Sequence, residues 1–192
     1  MKKITQLLAV ILIMSYITPA SAHAISDQST DLIAGLLHPF IGIDHLLTII
    51  AVGLWAAHVG GSSLYRLPLV FIALMFFGSL VSVNGIKVPA LEFLIALSVV
   101  SLGVLIFFNL KLPLYSSITI ISFFAIMHGY SHGLELPQQS SALFYGSGFI
   151  LATAILLIIG IILGRLTYGN ALLSKLCGST LALCGLYLTA VA

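Results

Sequence analysis

Six long apolar stretches, separated by short turns, constrain this chain to a helical bundle inside a membrane. They lie near residues 32–58, 66–84, 88–110, 113–131, 142–165 and 171–191. Each approaches or exceeds the roughly 20 residues that a helix needs to cross a bilayer. Only 6% of the 192 residues are charged, which is too few for a soluble domain of this size. We therefore predict an all-α integral membrane protein whose fold is a bundle of six transmembrane helices.

Residues 1–22 have the organisation of a secretory signal peptide. Two lysines precede an apolar run over residues 7–17, and a Pro-Ala-Ser-Ala sequence ends at Ala22. A positive segment, a short apolar run and a small-x-small site are the three parts of such a peptide. We predict cleavage after Ala22, which leaves residues 23–192 as a single six-helix domain beginning at His23. The alternative is an uncleaved membrane anchor.

The basic residues orient the predicted bundle. If the mature N-terminus lies outside the cytoplasm, the cytoplasmic turns contain Arg66, Lys111 and Arg165, whereas the outer turns contain only Lys87. This bias matches the positive-inside rule. We expect a multi-pass protein of the bacterial inner membrane, embedded in the lipid bilayer, with both mature termini in the periplasm.

Two short polar islands interrupt the apolar chain. Four of the six histidines and two of the five acids fall within residues 38–45 and 128–135. Ionisable groups in hydrocarbon cost roughly 2.5–3.5 kcal/mol each on insertion scales, so such a concentration indicates function. Imidazole and carboxylate together suit divalent transition metals. In the predicted topology both islands lie at the outer ends of their helices, so we expect them to converge on one membrane face.

The second island has the spacing of a helical metal chelate. His128 and His132 are four residues apart and share one helix face, and Glu135 stays near that face if the helix continues. Gly129 and Gly133 would let a neighbouring helix approach closely. The alternative is that these histidines bind backbone carbonyls at a frayed helix end.

The first island needs a distorted helix to form a metal site. Pro39 is typical of a first helical position, which would make His38 an N-cap. His38 and His45 would lie about 10.5 Å apart on a straight helix, too far to share an ion. Gly42 is a plausible place for a break. Asp44 and His45 either serve as ligands, in one site or in successive sites, or form a hydrogen-bonded pair that fixes helix packing.

Four further polar residues are less clearly indicated as metal ligands. Glu92 lies in the first turn of the third span, where it either ligates a metal or stabilises the helix dipole. His23, as a mature N-terminus, would offer an amine and an imidazole to a metal. We expect His58 to be an interfacial residue beside a belt tryptophan, Trp55. Asp31 is expected to be solvated near the outer surface.

Other chemistry is excluded by the sequence. The net charge of +2 is small and scattered, so no basic stripe is available for nucleic acid. No phosphate-binding loop ending in Gly-Lys-Ser/Thr occurs, which excludes ATP hydrolysis by that route. Cys177 and Cys184 lie about 10.5 Å apart along a helix, too far for a disulfide.

The two islands and their surroundings resemble a known family. His-Pro-Phe-x-Gly-x-Asp-His-Leu-Leu begins at His38, Val-Gly-Leu-Trp-Ala follows at Val52, and His-Gly-x-x-His-Gly-x-Glu begins at His128. Together with a glutamate in the third span, these motifs resemble the HupE/UreJ family, bacterial membrane proteins associated with hydrogenase and urease maturation and regarded as nickel or cobalt permeases. The resemblance covers essentially the whole chain.

The resemblance implies a metal substrate and a set of metal-binding residues. The motif residues fall on His38, Asp44, His45, Glu92, His128, His132 and Glu135. The implied substrate is Ni²⁺ or Co²⁺, with Zn²⁺ as a further option, and the implied partners are hydrogenase, urease or cobalamin maturation proteins. The leading hypothesis is a permease rather than an enzyme. The alternatives are a zinc-dependent intramembrane hydrolase, with Glu135 or Glu92 as base, and a metal-binding accessory protein that does not transport.

Overall fold

The computed structural model describes residues 28–192, apart from positions 83, 86 and 138. The predicted signal peptide and His23 therefore lie outside the described residues. Within this part of the chain all regular secondary structure is α-helical. Seven helices follow one another: α1 (Gln28–Ile41), α2 (Ile43–Val59), α3 (Ser63–Ser82), α4 (Leu91–Phe107), α5 (Leu114–Leu134), α6 (Ala142–Thr167) and α7 (Ala171–Val191).

The apolar character of these helices indicates a membrane protein. Among the described residues, α3, α6 and α7 are each long and apolar enough to cross a bilayer. Helices α1 and α2 meet that criterion only as a bent pair, and α4 is apolar but shorter. The predicted all-helical fold is confirmed, and the predicted helices from the second onwards match α3 to α7 closely. Three of the described helices, or four candidates with the bent pair, meet the length and hydropathy expected of a span, so six crossings stay a prediction.

The predicted first span is broken in the structure. Helices α1 and α2 meet at Gly42 with a bend of 82°, and Gly42 leaves the helical conformation with φ −80° and ψ 107°. The expectation that Pro39 begins a helix is wrong, because it lies inside α1 and His38 lies in the last turn. Proline has no N–H to donate to the carbonyl four residues earlier, and α1 ends two residues after it.

The six helices after the bend alternate in direction. Helices α2 and α6 run the same way, because Gly160 packs against the backbone of Ile50 and Gly164 packs against that of Leu54. By contrast, α4 and α7 run in opposite directions, with Gly178 beside Phe107 and Gly185 beside Val100.

Helix α2 lies at the centre of the bundle, and its middle is buried among the other helices. We call the end where α2 begins and α5 ends the site end.

Helices α3 and α5 pack backbone to backbone near the site end. A Cβ atom at Gly129 would overlap the carbonyl oxygen of Met75, and one at Gly133 would overlap the side chain of Ser82. The expectation that these glycines admit a neighbouring helix is confirmed. Because successive residues turn by about 100° around a helix, His128 and His132 lie to one side of this contact, where their rings meet that of His45 on α2.

Candidate metal centre

Four histidines from the two islands form one cluster at the site end. The ring centroids of His38 and His132 lie 5.0 Å apart, and those of His45 and His132 lie 4.3 Å apart. The rings of His45 and His128 are also neighbours, at 5.0 Å. The bend at Gly42 makes this possible, because it allows residues at the end of α1 and the start of α2 to reach the same part of α5.

Three side chains of the cluster bring metal-ligating atoms together. His38 Nε2 lies 3.0 Å from His132 Nδ1 and 2.8 Å from Glu135 Oε2. The third distance, between His132 Nδ1 and Glu135 Oε2, is 3.6 Å. All three ligand atoms lie within 4.8 Å of one another. We call these residues the His38 group; two imidazole nitrogens and a carboxylate oxygen form a ligand set that suits borderline divalent ions.

The His38 group opens towards the surface on one side and is buried on the other. The side chains of His38 and Glu135 are 23% and 40% exposed, whereas that of His132 is only 4% exposed. Ser131 Oγ donates a 3.0 Å hydrogen bond to the other oxygen of Glu135. Burial raises the pKa of the Glu135 carboxyl, but the neighbouring His132 and His38 imidazoles outweigh it, and the net shift is downward. Glu135 therefore stands as a carboxylate ready to accept a cation.

Asp44 and His45 form a hydrogen-bonded pair in the first turn of α2. Asp44 Oδ1 accepts one hydrogen bond from the His45 backbone N–H at 2.8 Å and another from His45 Nδ1 at 2.7 Å. The helix N-terminus also favours a carboxylate at this position. The pairing fixes the orientation of the His45 ring, so its Nε2 points away from Asp44.

His128 is oriented by its own helix. Its Nδ1 lies 2.9 Å from the carbonyl oxygen of Phe124, which can only accept, so Nδ1 is the donor. His128 is fully buried. The Nε2 atoms of His128, His45 and His132 are all buried and have no hydrogen-bond partner among the described residues.

Glu92 lies beside the cluster rather than inside it. It is exposed in the first turn of α4 and does not belong to the His38 group. It is near enough to Asp44 and Glu135 for their negative charges to repel one another. The structure thus places Glu92 at the edge of the site, where it adds negative charge.

Two expectations about the remaining polar residues are wrong. Asp31 is not solvated: it is 5% exposed, and its Oδ2 accepts a 2.8 Å hydrogen bond from the Ser141 N–H at the start of α6. Trp55 is not a lipid-facing belt residue and His58 beside it is not at the surface, since both are buried inside the bundle. His58 Nε2 lies 3.0 Å from Thr167 Oγ1. These side chains face inwards because α1 and α2 pack against α6.

Helix α6 contributes two aromatic residues that the sequence reasoning missed. The Phe149 ring lies 4.2 Å from that of His132, and the Tyr145 ring lies 5.7 Å from that of His38. Both side chains are buried. An aromatic residue in an apolar helix is too common to mark a site, so only its contacts identify it.

Comparison with known proteins places the chain in a family. The family model described as HupE / UreJ protein matches residues 10–188. Protein HupE from Rhizobium leguminosarum bv. viciae is 39% identical over 170 residues, which cover 87% of this chain and 89% of that relative. No solved structure shows a significant match. The family model spans nearly the whole sequence, both polar islands included, and the chain therefore belongs to the HupE/UreJ family.

Proposed function

We propose that this protein is a permease that takes up Ni²⁺ or Co²⁺ from the periplasm across the bacterial inner membrane. The HupE/UreJ family is associated with nickel and cobalt uptake for hydrogenase and urease, and its members are accessory or transport proteins rather than enzymes. The observation that carries the proposal is the approach of His38, His132 and Glu135 to within ligand distance of one another.

The His38 group has the properties of a capture site. Its exposed members would meet an incoming ion, and its buried member, His132, would draw the ion inwards. Three protein ligands leave coordination positions for water, so the ion need not lose its whole hydration shell at once. A permeation site must bind well enough to capture an ion and weakly enough to release it. Mixed imidazole and carboxylate ligands are compatible with both requirements.

The polar residues around the His38 group would assist its binding of the ion; they are Asp44, His45, Glu92 and His128. Asp44 would act as a positioning residue, because its Oδ1 orients His45. The charge of Glu92 would attract cations to the exposed side of the cluster. If cleavage after Ala22 exposes His23, that residue would add a further ligand at the mature N-terminus.

The proposed orientation has six crossings, α2 to α7, with the site end in the periplasm. The alternating directions of these helices support it. Arg66, Lys111 and Arg165 lie near the end opposite the site, while Lys87 lies in the connection at the site end. This distribution agrees with the positive-inside rule. The mature N- and C-termini would then both face the periplasm.

Polar side chains continue from the cluster into the bundle. Thr48 on α2 and Ser98 on α4 are buried and share a 2.7 Å hydrogen bond. Thr153 on α6 is buried, and its hydroxyl has no partner among the described residues. His58 and Thr167 follow at the opposite end. Neutral hydroxyls are weak ligands for these ions, so they would allow passage without trapping the metal.

Metal uptake by cells and proteoliposomes tests the proposal. Wild type should accumulate radioactive nickel or cobalt, His132→Ala should abolish accumulation, and Asp44→Ala should reduce it by about 10- to 100-fold. Thr189→Ala on α7, a helix that contributes none of the proposed residues, is the control for expression and membrane insertion. Uptake that both site variants leave unchanged would contradict the permease. Nickel binding by wild type without any uptake would favour a non-transporting accessory role.

A further inference from the structure

We infer that the histidine cluster contains two successive metal centres that share His132. The first is the His38 group. The second is a buried centre formed by the Nε2 atoms of His45, His128 and His132. This inference rests on the proposed function for the identity of the metal, but the existence of the second centre stands on hydrogen bonding and burial alone.

The hydrogen bonds of His45 and His128 leave both residues prepared to bind a metal. His45 donates its Nδ1 proton to the Asp44 carboxylate, and His128 donates its Nδ1 proton to the Phe124 carbonyl. In the neutral ring, Nε2 then has a free lone pair. Histidines that bind metals usually donate their other ring N–H to a carboxylate or a backbone carbonyl in this way.

The burial of these nitrogens makes their lack of a hydrogen-bond partner among the described residues significant. His128 is 0% exposed and His45 is 5% exposed, and neither Nε2 has a hydrogen-bond partner among the described residues. Buried polar atoms normally have a partner, because leaving them without one is costly. Two such lone pairs on adjacent rings are accounted for if both face the place of a cation.

His132 connects the two centres. Its Nδ1 belongs to the His38 group, whereas its Nε2 is buried and has no partner in the described part of the chain. The His132 ring is also the nearer of the two α5 rings to His45, at 4.3 Å. A neutral imidazole has only one lone pair, so His132 can hold an ion through one nitrogen at a time. The two centres therefore fill in turn and not together.

The second centre differs from the first in its surroundings. The rings of Phe71 and Phe149 lie 5.9 Å from His128 and 4.2 Å from His132. No carboxylate belongs to its ligand set, and the three Nε2 atoms are not drawn together as closely as the atoms of the His38 group. An ion must therefore pull these rings inwards, and it would be held less firmly there. A weaker second centre favours onward release.

Nickel binding to the purified full-length protein in detergent tests the inference without requiring transport. Calorimetric titration with nickel chloride should give one ion per chain for wild type. The double variant H38A/E135Q removes the first centre, and it should still bind one ion, about tenfold or more weakly. X-ray absorption should then show imidazole nitrogens from the chain and no carboxylate oxygen. The variant His128→Ala should keep one ion in the His38 group, with affinity close to that of wild type, but lose uptake.

Two results would overturn the inference. A folded H38A/E135Q protein that binds no nickel would show that no second centre exists. Two ions bound at saturation in wild type would show that His132 is not shared. Circular dichroism and a monodisperse gel-filtration peak establish folding, and His128→Ala provides an independent variant if the double variant fails that check. Wild type that binds nickel as described but never transports it would refute the proposed function and leave the two centres standing.

Discussion

His38 and His132 are 94 residues apart in the sequence, yet His38 Nε2 lies 3.0 Å from His132 Nδ1. The contact depends on the 82° bend between α1 and α2 at Gly42. It also depends on the packing of α1 against α6, where Gly35 lies against the backbone of Tyr145. If the cluster binds a metal, transport should therefore also depend on residues that do not contact the ion.

Gly42→Ala should damage the site without unfolding the protein. The backbone conformation at Gly42 suits alanine, but the new Cβ would lie 2.9 Å from His45 Nδ1 and 3.2 Å from Asp44 Oδ1. We expect the Asp44–His45 pair to be displaced and nickel uptake to fall by about 10- to 100-fold, as when a metal ligand loses its orienting partner. Uptake assays in cells measure this change.

Gly146→Ala is the matched control for that substitution. A Cβ at Gly146, in α6, would meet no atom within 4 Å, so its uptake should equal that of wild type. Normal uptake by Gly42→Ala would show that the Asp44–His45 geometry is unimportant for transport.

Gly129→Ala should destabilise the bundle. The added Cβ would overlap the backbone oxygen of Met75, so α3 and α5 must move apart. Overpacking of this kind costs about 1–3 kcal/mol of unfolding free energy. Thermal unfolding in detergent measures the loss. The same Gly146→Ala control should be neutral or slightly stabilising, since alanine favours a helix over glycine by up to about 1 kcal/mol. An unchanged melting temperature for Gly129→Ala would contradict the observed helix contact.

Asp44 variants should separate an orienting role from direct metal ligation. Asp44→Ala removes the acceptor for both His45 hydrogen bonds, and we expect transport to fall by about 10- to 100-fold. Asp44→Asn keeps a neutral oxygen that can accept the same bonds, so it should retain much of the activity. Nickel affinity at the His38 group should be similar in both variants. A large loss of that affinity in Asp44→Asn would instead indicate that the carboxylate binds the ion directly.

Asp31 should contribute to stability by joining α1 to α6. Its carboxylate accepts the Ser141 N–H at 2.8 Å, which satisfies a backbone donor at the start of α6. Asp31→Ala should reduce the unfolding free energy by about 0.5–2 kcal/mol, the range seen when a helix cap is lost. Asp31→Asn, which keeps an acceptor, should lose less. If the Asp31→Ala variant and wild type unfold at the same temperature, the hydrogen bond between Asp31 and Ser141 does not stabilise the protein.

The helix positions and the pairing of His128 with His132 on one helix face can be predicted from the sequence, because both depend on local features. Apolar length and turn residues indicate α3 to α7 within a few residues. The spacing of His128 and His132 places both side chains on one face of α5 wherever that helix lies. Gly129 and Gly133 likewise indicate a close helix contact before the partner is known.

The course of the first span is less predictable. Gly42 marks a place where a helix can break, but a glycine tolerates both a straight and a bent path. Pro39 is compatible with either end of a helix, and only the extension of α1 back to Gln28 places it at the carboxyl end. The burial of Asp31 and the contacts of Tyr145 also depend on which helix packs beside them.

The sequence alone indicated an all-helical membrane protein with two polar islands, the candidate metal-binding residues and the family to which the chain belongs. Those properties follow from composition, periodicity and motif, which each segment carries by itself. Only the tertiary structure decided that His38 meets His132 and Glu135 and that Asp44 orients His45. It also decided that the Nε2 atoms of His45, His128 and His132 are buried with no partner in the part of the chain that the structure describes. These relationships join residues on α1, α2 and α5, so they arise from the bend at Gly42 and the helix packing, which no local pattern specifies.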